Sequence, residues 1–266
     1  MKDVQSQRDE RGVDIQKVGV KQLCMPLNIK EKDGGYQAVT ASIQASVGLP
    51  KDFKGTHMSR FLEVLQTWSK RAISAGEVSN ILQDLSHGLG AKSAQLELRF
   101  RYFVKKKAPV SGKESLMGYI CSFTGDSDGL RENSYDFIQG VEVPVLSLCP
   151  CSKEISDFGA HNQRTVIRAR LRPLHMFWLE DLIAALEAQG SSPIYPLLKR
   201  EDEKYVTEHS YLNPKFVEDI LRDCVIFLRG DSRVAWFEVE CESFESIHDH
   251  SAFAQHRQAK EDHNVR

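Results

Sequence analysis

Val39-Thr40-Ala41-Ser42-Ile43-Gln44-Ala45-Ser46-Val47 alternates apolar and polar residues at every step. A two-residue period sends successive side chains to opposite faces, so the stretch reads as a strand with one buried face. Upstream, Asp33-Gly34-Gly35 is a turn that folds the apolar run Val18 to Ile29 back against it as a hairpin. Downstream the period lengthens, and Met58, Phe61, Leu62, Leu65 and Trp68 share one helical face. Ser74 and Glu77 form a capping box that opens a second helix carrying Val78, Ile81, Leu82 and Leu85. Alternation returns from Ala94 to Val104, and another strand spans Leu116 to Phe123. The unit is strand, strand, helix, helix, strand, strand.

After a polar loop, Gly125 to Asn133, the order repeats. Tyr135 to Leu148 and Thr165 to Arg172 read as strands, and Trp178, Leu179, Leu182, Ile183 and Leu186 as a helix. Asn213 as N-cap and Pro214 at the first helical position open another helix with Phe216, Val217, Ile220 and Cys224 inward. Ala235 to Cys241 is a strand, and a short one follows His248. The expected fold class is therefore α+β: tandem ββααββ units over 16–126 and 134–256, with flexible ends at 1–15 and 257–266. Each unit is expected to be a four-stranded antiparallel sheet with both helices on one face. Its free edges and bare face point to an oligomer that closes the sheets into a barrel. The alternative is one continuous α+β sheet without duplication.

Composition narrows the function classes. In 266 residues, 41% hydrophobic and 27% charged, the balance is that of a globular protein rather than a disordered or fibrous one. Thirty-five basic against 37 acidic residues leave a net charge of −2, so no global field favours nucleic acid or an anionic membrane. No run approaches the ~18 apolar residues of a membrane span. The charged start MKDVQSQRDERGVD is unlike a secretory signal, so a cytoplasmic location with six reduced cysteines is expected.

Leu148-Cys149-Pro150-Cys151-Ser152-Lys153-Glu154 is the most unusual string. At a strand end, Cys149 and Cys151 share a face, and a hairpin folds His161 of Gly159-Ala160-His161-Asn162-Gln163-Arg164 beside Cys149. Thiolate beside imidazole suits zinc or another borderline divalent ion, or catalysis; Cys151 alone also reads as a small buried residue. Leu198-Lys199-Arg200-Glu201-Asp202-Glu203-Lys204-Tyr205 lacks helical periodicity and reads as a solvated loop that offers carboxylates and cations. His248 and His250, placed on a strand, face one side as a ligand pair or proton-transfer group, or are surface histidines. Glu218, in a first helical turn, is favoured there by the helix dipole with or without a function. Lys54-Gly55-Thr56-His57-Met58-Ser59-Arg60 leads into a helix and offers a weak anion site.

Together these strings resemble a known family. DVQSQRDERGVDIQKVGVK, KGTHMSRF, the KKKAPVSG run, SLCPCSKEIS with GAHNQR, LLKREDEKYVTE, NPKFVEDILRD and ESFESIHDHSAFA are similar, in order from Asp3 to Ala254, to prokaryotic GTP cyclohydrolase type IB. That resemblance implies a tunnelling fold of tandem ββααββ units and a homotetramer with active sites at subunit interfaces. It implies hydrolysis of GTP to 7,8-dihydroneopterin triphosphate and formate, in folate and pterin synthesis. It also implies one divalent metal (Mn²⁺, Fe²⁺ or Zn²⁺) held by Cys149, His161 and Glu203, with no organic cofactor. His248 is then the acid/base, Cys151 a second catalytic thiol, His250 a weaker candidate, and Glu218 the grip on the base. Lys54, His57, Arg60, Lys199, Arg200 and Lys204 form the pool for the triphosphate clamp. The rival readings are a nitrile reductase of the same fold, a cyclohydrolase with a cyclic phosphate product, and a non-enzymatic purine-binding or metal-storage protein.

Overall fold

The computed structural model describes residues 5, 7–128 and 135–260. Chain contacts divide into two compact units, Met1–Arg101 with Ser122–Gln139 and Tyr102–Cys121 with Gly140–Arg266. The hairpin pairs β1 (Ile15–Lys30) with β2 (Tyr36–Leu49), closed by a Glu31 N–H to Gly35 carbonyl bond and by Gly34 at φ 93°. Then come α1 (Met58–Trp68), β3 (Ala72–Ile73), α2 (Ala75–Leu89), β4 (Ala94–Lys107) and β5 (Glu114–Ser127). The Glu77 carboxylate accepts from the Ser74 N–H and hydroxyl and so fixes the start of α2. After residues 129–134, outside the described set, follow β6 (Asp136–Leu148), α3 (Pro150–Ile155), β7 (Asn162–Pro173), α4 (Leu179–Glu187) and β8 (Ser192–Pro193). Next are α5 (Arg200–Leu212), α6 (Val217–Gly230), β9 (Val234–Ser243) and β10 (Ala252–Ala259).

Two expectations about the fold are corrected. The strands do not form a four-stranded sheet per half: among the described residues they join one ten-stranded, mostly antiparallel sheet, β10-β9-β7-β6-β5-β4-β2-β1-β3, with β8 on β6. The β5–β6 pairing satisfies the backbone edges that two separate units would have exposed. The tandem ββααββ tunnelling-fold arrangement does not describe this sheet, because β6 to β10 interleave with four helices, α3 to α6. In the second unit, ion pairs link the neighbouring strands β7 and β9. Arg168 lies 3.0 Å and 2.8 Å from Glu240 and Glu242, and Arg170 lies 3.1 Å from Glu238. A second correction concerns the last large helix: Asn213 closes α5, and α6 begins after Phe216, whose N–H is accepted by the Asp219 carboxylate at 3.1 Å.

At the ends expected to be flexible, the Asp9 N–H bonds the Asp52 carbonyl, the Lys54 N–H bonds Gln7, and residues 257–259 lie in β10. Residues 1–4, 6 and 261–266 lie outside the described set.

In the second unit, Leu182, Ile183 and Leu186 of α4 and Ile220, Cys224 and Leu228 of α6 are buried, as are Ile167, Leu171, Phe237 and Val239 of the sheet. Burying each such side chain contributes about 1.5–3 kcal/mol. The Cys224 thiol is pushed up by its hydrogen bond with Cys241 and by burial, so it packs as a neutral side chain. Within this core is an ion pair: Lys106 Nζ lies 2.7 Å from Glu187 Oε1, which also accepts from the Tyr119 hydroxyl at 2.6 Å. Removing one member of a buried pair leaves the other charge uncompensated. Glu187→Ala is therefore expected to cost about 3–5 kcal/mol. By calorimetry the thermal midpoint should fall by on the order of 10 °C, and an unchanged midpoint would show the pair to be idle.

Candidate functional site

Just beyond the paired strands β6 and β7, the Cys149 N–H bonds the His161 carbonyl at 3.1 Å. Cys149 does not continue the strand with Cys151 on the same face, as the sequence suggested. It is the N-cap of α3, its sulfur accepts the Ser152 N–H at 3.4 Å, and Cys151 is an exposed helical residue. The turn is forced by Pro150, which has no N–H to donate and takes the first helical position. Ser152 completes the clasp, because its hydroxyl accepts the His161 N–H at 3.1 Å. Sequence reasoning missed Ser152, Gln163 and Glu245. His161 Nδ1 lies 2.8 Å from Gln163 Oε1 and 3.9 Å from Glu245 Oε2.

The other candidates of the second unit approach the same corner on different elements. Leu148 accepts the Lys215 N–H at 3.0 Å, which sets the start of α6, and with it the exposed Glu218, beside the end of β6. The Phe244 N–H bonds the Arg164 carbonyl at 2.9 Å, so the chain leaving β9 passes His161 before reaching His248 and His250. These histidines lie in an exposed bend, not on a strand, with rings stacked 5.1 Å apart. Residues 200–212 are a helix instead of the expected loop. It is tied to the corner by Asn162 Nδ2 to the Ser210 hydroxyl at 2.9 Å and by Lys153 Nζ to the Tyr211 carbonyl at 2.6 Å. A pocket of about 540 Å³ lies between, lined by Leu148, Ala160, Asn162, Thr207, Tyr211 and Leu212, a volume in the range of small-molecule sites. The buried Asn162 Oδ1 has no hydrogen-bond partner among the described residues.

Cys149 and His161 are thus brought together. Glu203, exposed in the first turn of α5, is not gathered with them: among the described residues no three His, Cys, Asp or Glu side chains form a group that could hold a metal. The donor chemistry of the corner, one sulfur and one imidazole with a carboxylate on the adjoining helix, still suits a borderline divalent ion. Lys199, Arg200 and Lys204 mark the start of α5, and Lys204 lies 3.8 Å from Glu208. In the first unit, His57 is the N-cap of α1, Arg60 donates to the Gly88 carbonyl at 3.2 Å, and Lys54 precedes both.

The start of α5 is anchored by Asp202, fully buried, whose carboxylate accepts the N–H groups of Val110, Ser111 and Lys199 and the Ser111 hydroxyl. Burial works to raise its carboxyl, but these donors outweigh it and hold the group well below the usual carboxylate range. A depressed folded-state value stabilises the chain above the unfolded value of ~3.9, and this stabilisation is lost as pH falls towards the folded one. Asp202→Asn is expected to lower the urea midpoint at neutral pH and to flatten its decline below about pH 4. An acid limb as steep as the parent's would show that Asp202 does not carry it.

The family model described as "Type I GTP cyclohydrolase folE2" matches residues 1–254. GTP cyclohydrolase FolE2 of Geobacter sulfurreducens is 50% identical over 260 residues, covering 98% of this chain and 99% of the relative. FolE2 of Pseudothermotoga lettingae is 47% identical over 262 residues, covering 98% and 100%. Among solved structures, a hyper-thermostable uricase mutant matches with a TM-score of 0.56 at 6% identity, covering 95% of this chain and 94% of the other. Uricase from Arthrobacter globiformis matches with a TM-score of 0.52 at 7% identity, covering 94% and 96%. These likenesses are of fold alone, and they place the chain with uricase-like sheets in place of the expected tandem ββααββ units. On its sequence, the chain belongs to the type I GTP cyclohydrolase FolE2 family.

Proposed function

We propose that this enzyme hydrolyses GTP to 7,8-dihydroneopterin triphosphate and formate at the corner between β6 and β7. The reading is supported by the backbone pairing of Cys149 with His161, whose sequence neighbours Leu148, Ala160 and Asn162 line a pocket beside α5. Family membership sets aside the nitrile reductase and the storage protein. Cys149, His161 and Glu203 are assigned to one divalent ion, Mn²⁺, Fe²⁺ or Zn²⁺, with no organic cofactor. Such an ion supplies water acidic enough to react near neutral pH, with a pKa of ~7 in place of ~15.7.

The chain's own residues do the rest. The Glu218 carboxylate accepts two N–H bonds from the purine edge and so fixes where C8 lies. His248 holds and returns the protons exchanged as one water adds at C8 and the C8–N9 bond breaks, and as a second water cleaves the C8–N7 bond and releases C8 as formate. Ribose rearrangement and ring closure with loss of water follow. Cys151 and His250, exposed at the same corner, are secondary candidates for proton transfer. Lys54, His57, Arg60, Lys199, Arg200 and Lys204 are the pool from which the cations for the triphosphate are drawn.

Exposed apolar side chains flank the corner: Ile155, Phe158, Leu212 and Ile247 are 84%, 95%, 77% and 62% accessible. Apolar groups so placed favour a homo-oligomer, in this reading a tetramer with its sites at subunit interfaces. No helix among the described residues is long and apolar enough to cross a membrane. In this reading the compartment is the cytoplasm.

The test is GTP turnover with added Mn²⁺, followed by fluorescence of the oxidised pterin. Cys149→Ala is expected to abolish both bound metal and turnover, and full activity with metal retained would contradict its role. Each charged hydrogen bond is worth ~1.5–3 kcal/mol. Glu218→Ala should therefore lower kcat/KM about 10²- to 10⁴-fold at ~1.4 kcal/mol per decade. A loss below about tenfold, or ~1.4 kcal/mol, would remove Glu218 from the site.

A further inference from the structure

We propose that Gln163, supported by Glu245, is a positioning residue that keeps the His161 proton on Nδ1 and so leaves Nε2 as the nitrogen offered to a divalent cation. The inference rests on the assignment of His161 as a metal ligand.

Residues two apart at a strand start project to one side, which puts Gln163 next to the His161 ring. Gln163 is buried at 8% exposure, so its amide cannot exchange the ring for bulk water at little cost. Its Oε1 lies 2.8 Å from His161 Nδ1 and accepts the Ser246 hydroxyl at 3.5 Å. The second, independent contact comes from the chain leaving β9. The Thr165–Ser243 pairing and the Phe244 N–H to Arg164 carbonyl bond bring Glu245 alongside. Its Oε2 stands 3.9 Å from the same Nδ1.

An amide oxygen is an acceptor only. The Gln163 oxygen at 2.8 Å calls for a hydrogen on Nδ1, because a bare lone pair would be repelled by it. The Ser246 hydroxyl, which donates to the same oxygen, favours this turn of the amide. A neutral imidazole carries one N–H, so fixing it on Nδ1 leaves the Nε2 lone pair uncommitted. The same contacts hold the ring plane. Groups that fix a ligand histidine in this way typically contribute 10- to 100-fold to metal affinity.

The experiment combines two readouts that do not depend on turnover. Nitrogen-15 NMR of the metal-free, histidine-labelled protein should show His161 as the Nδ1–H tautomer. Titration with Co²⁺, followed by the thiolate charge-transfer band, should give a dissociation constant roughly 10- to 100-fold weaker for Gln163→Ala. The band should persist at saturation, and Gln163→Glu should restore the affinity. Binding by the parent that vanishes in Cys149→Ala keeps the metal assignment itself in force. Against that background, an Nε2–H tautomer or an unchanged affinity in Gln163→Ala overturns the positioning role alone. A parent chain that binds no Co²⁺ overturns the metal assignment and this proposal with it. If Gln163→Ala fails to fold, the tautomer in the unaltered protein decides the matter.

Discussion

One backbone hydrogen bond, from the Cys149 N–H to the His161 carbonyl, sets the geometry of the candidate site. It joins the last residue before α3 to the last residue before β7, so the backbones of a cysteine and a histidine twelve positions apart become neighbours. Everything around it protects that geometry. Pro150 turns the chain into α3, and Ser152 ties both partners through its backbone and hydroxyl. Leu148 and Arg164 receive Lys215, just before α6, and Phe244, just after β9. The backbones of Cys149 and His161 are held together by a main-chain bond that truncating either side chain leaves in place.

Much of the fold was legible in local periodicity. The β1–β2 hairpin, both helices of the first unit and the strands from Ala94 onward follow from two-residue and 3.6-residue repeats and from turn and cap residues. What periodicity does not carry is which strand edges meet. The pairing of β5 with β6, which makes one sheet instead of two, is a long-range choice with no local signature. The alternation of Arg168 and Arg170 was visible, but not that Glu238, Glu240 and Glu242 would face them across β9.

Helix α5 shows why the charged run misled. Its inward stripe is Asp202, Val206 and Ser210, at four-residue spacing but with two polar members, so no hydrophobic period exists to be read. The helix is held by polar anchoring: Asp202 receives four hydrogen bonds, and Ser210 one from Asn162. The same holds at the site. Cysteine, histidine and carboxylate types were conspicuous in the sequence, whereas Gln163, Glu245 and Ser152 carry no motif. Their roles appear only when β7 and the chain beyond β9 lie side by side.

The most direct measurement is anomalous diffraction at the manganese edge from crystals of the enzyme prepared with Mn²⁺. The expected result is a single strong peak per chain bonded to Cys149 Sγ and His161 Nε2, with a Glu203 oxygen completing the protein ligands. A peak bonded to other residues, or crystals that take up Mn²⁺ with no density between Cys149 and His161, would contradict the assignment of the ion to this corner.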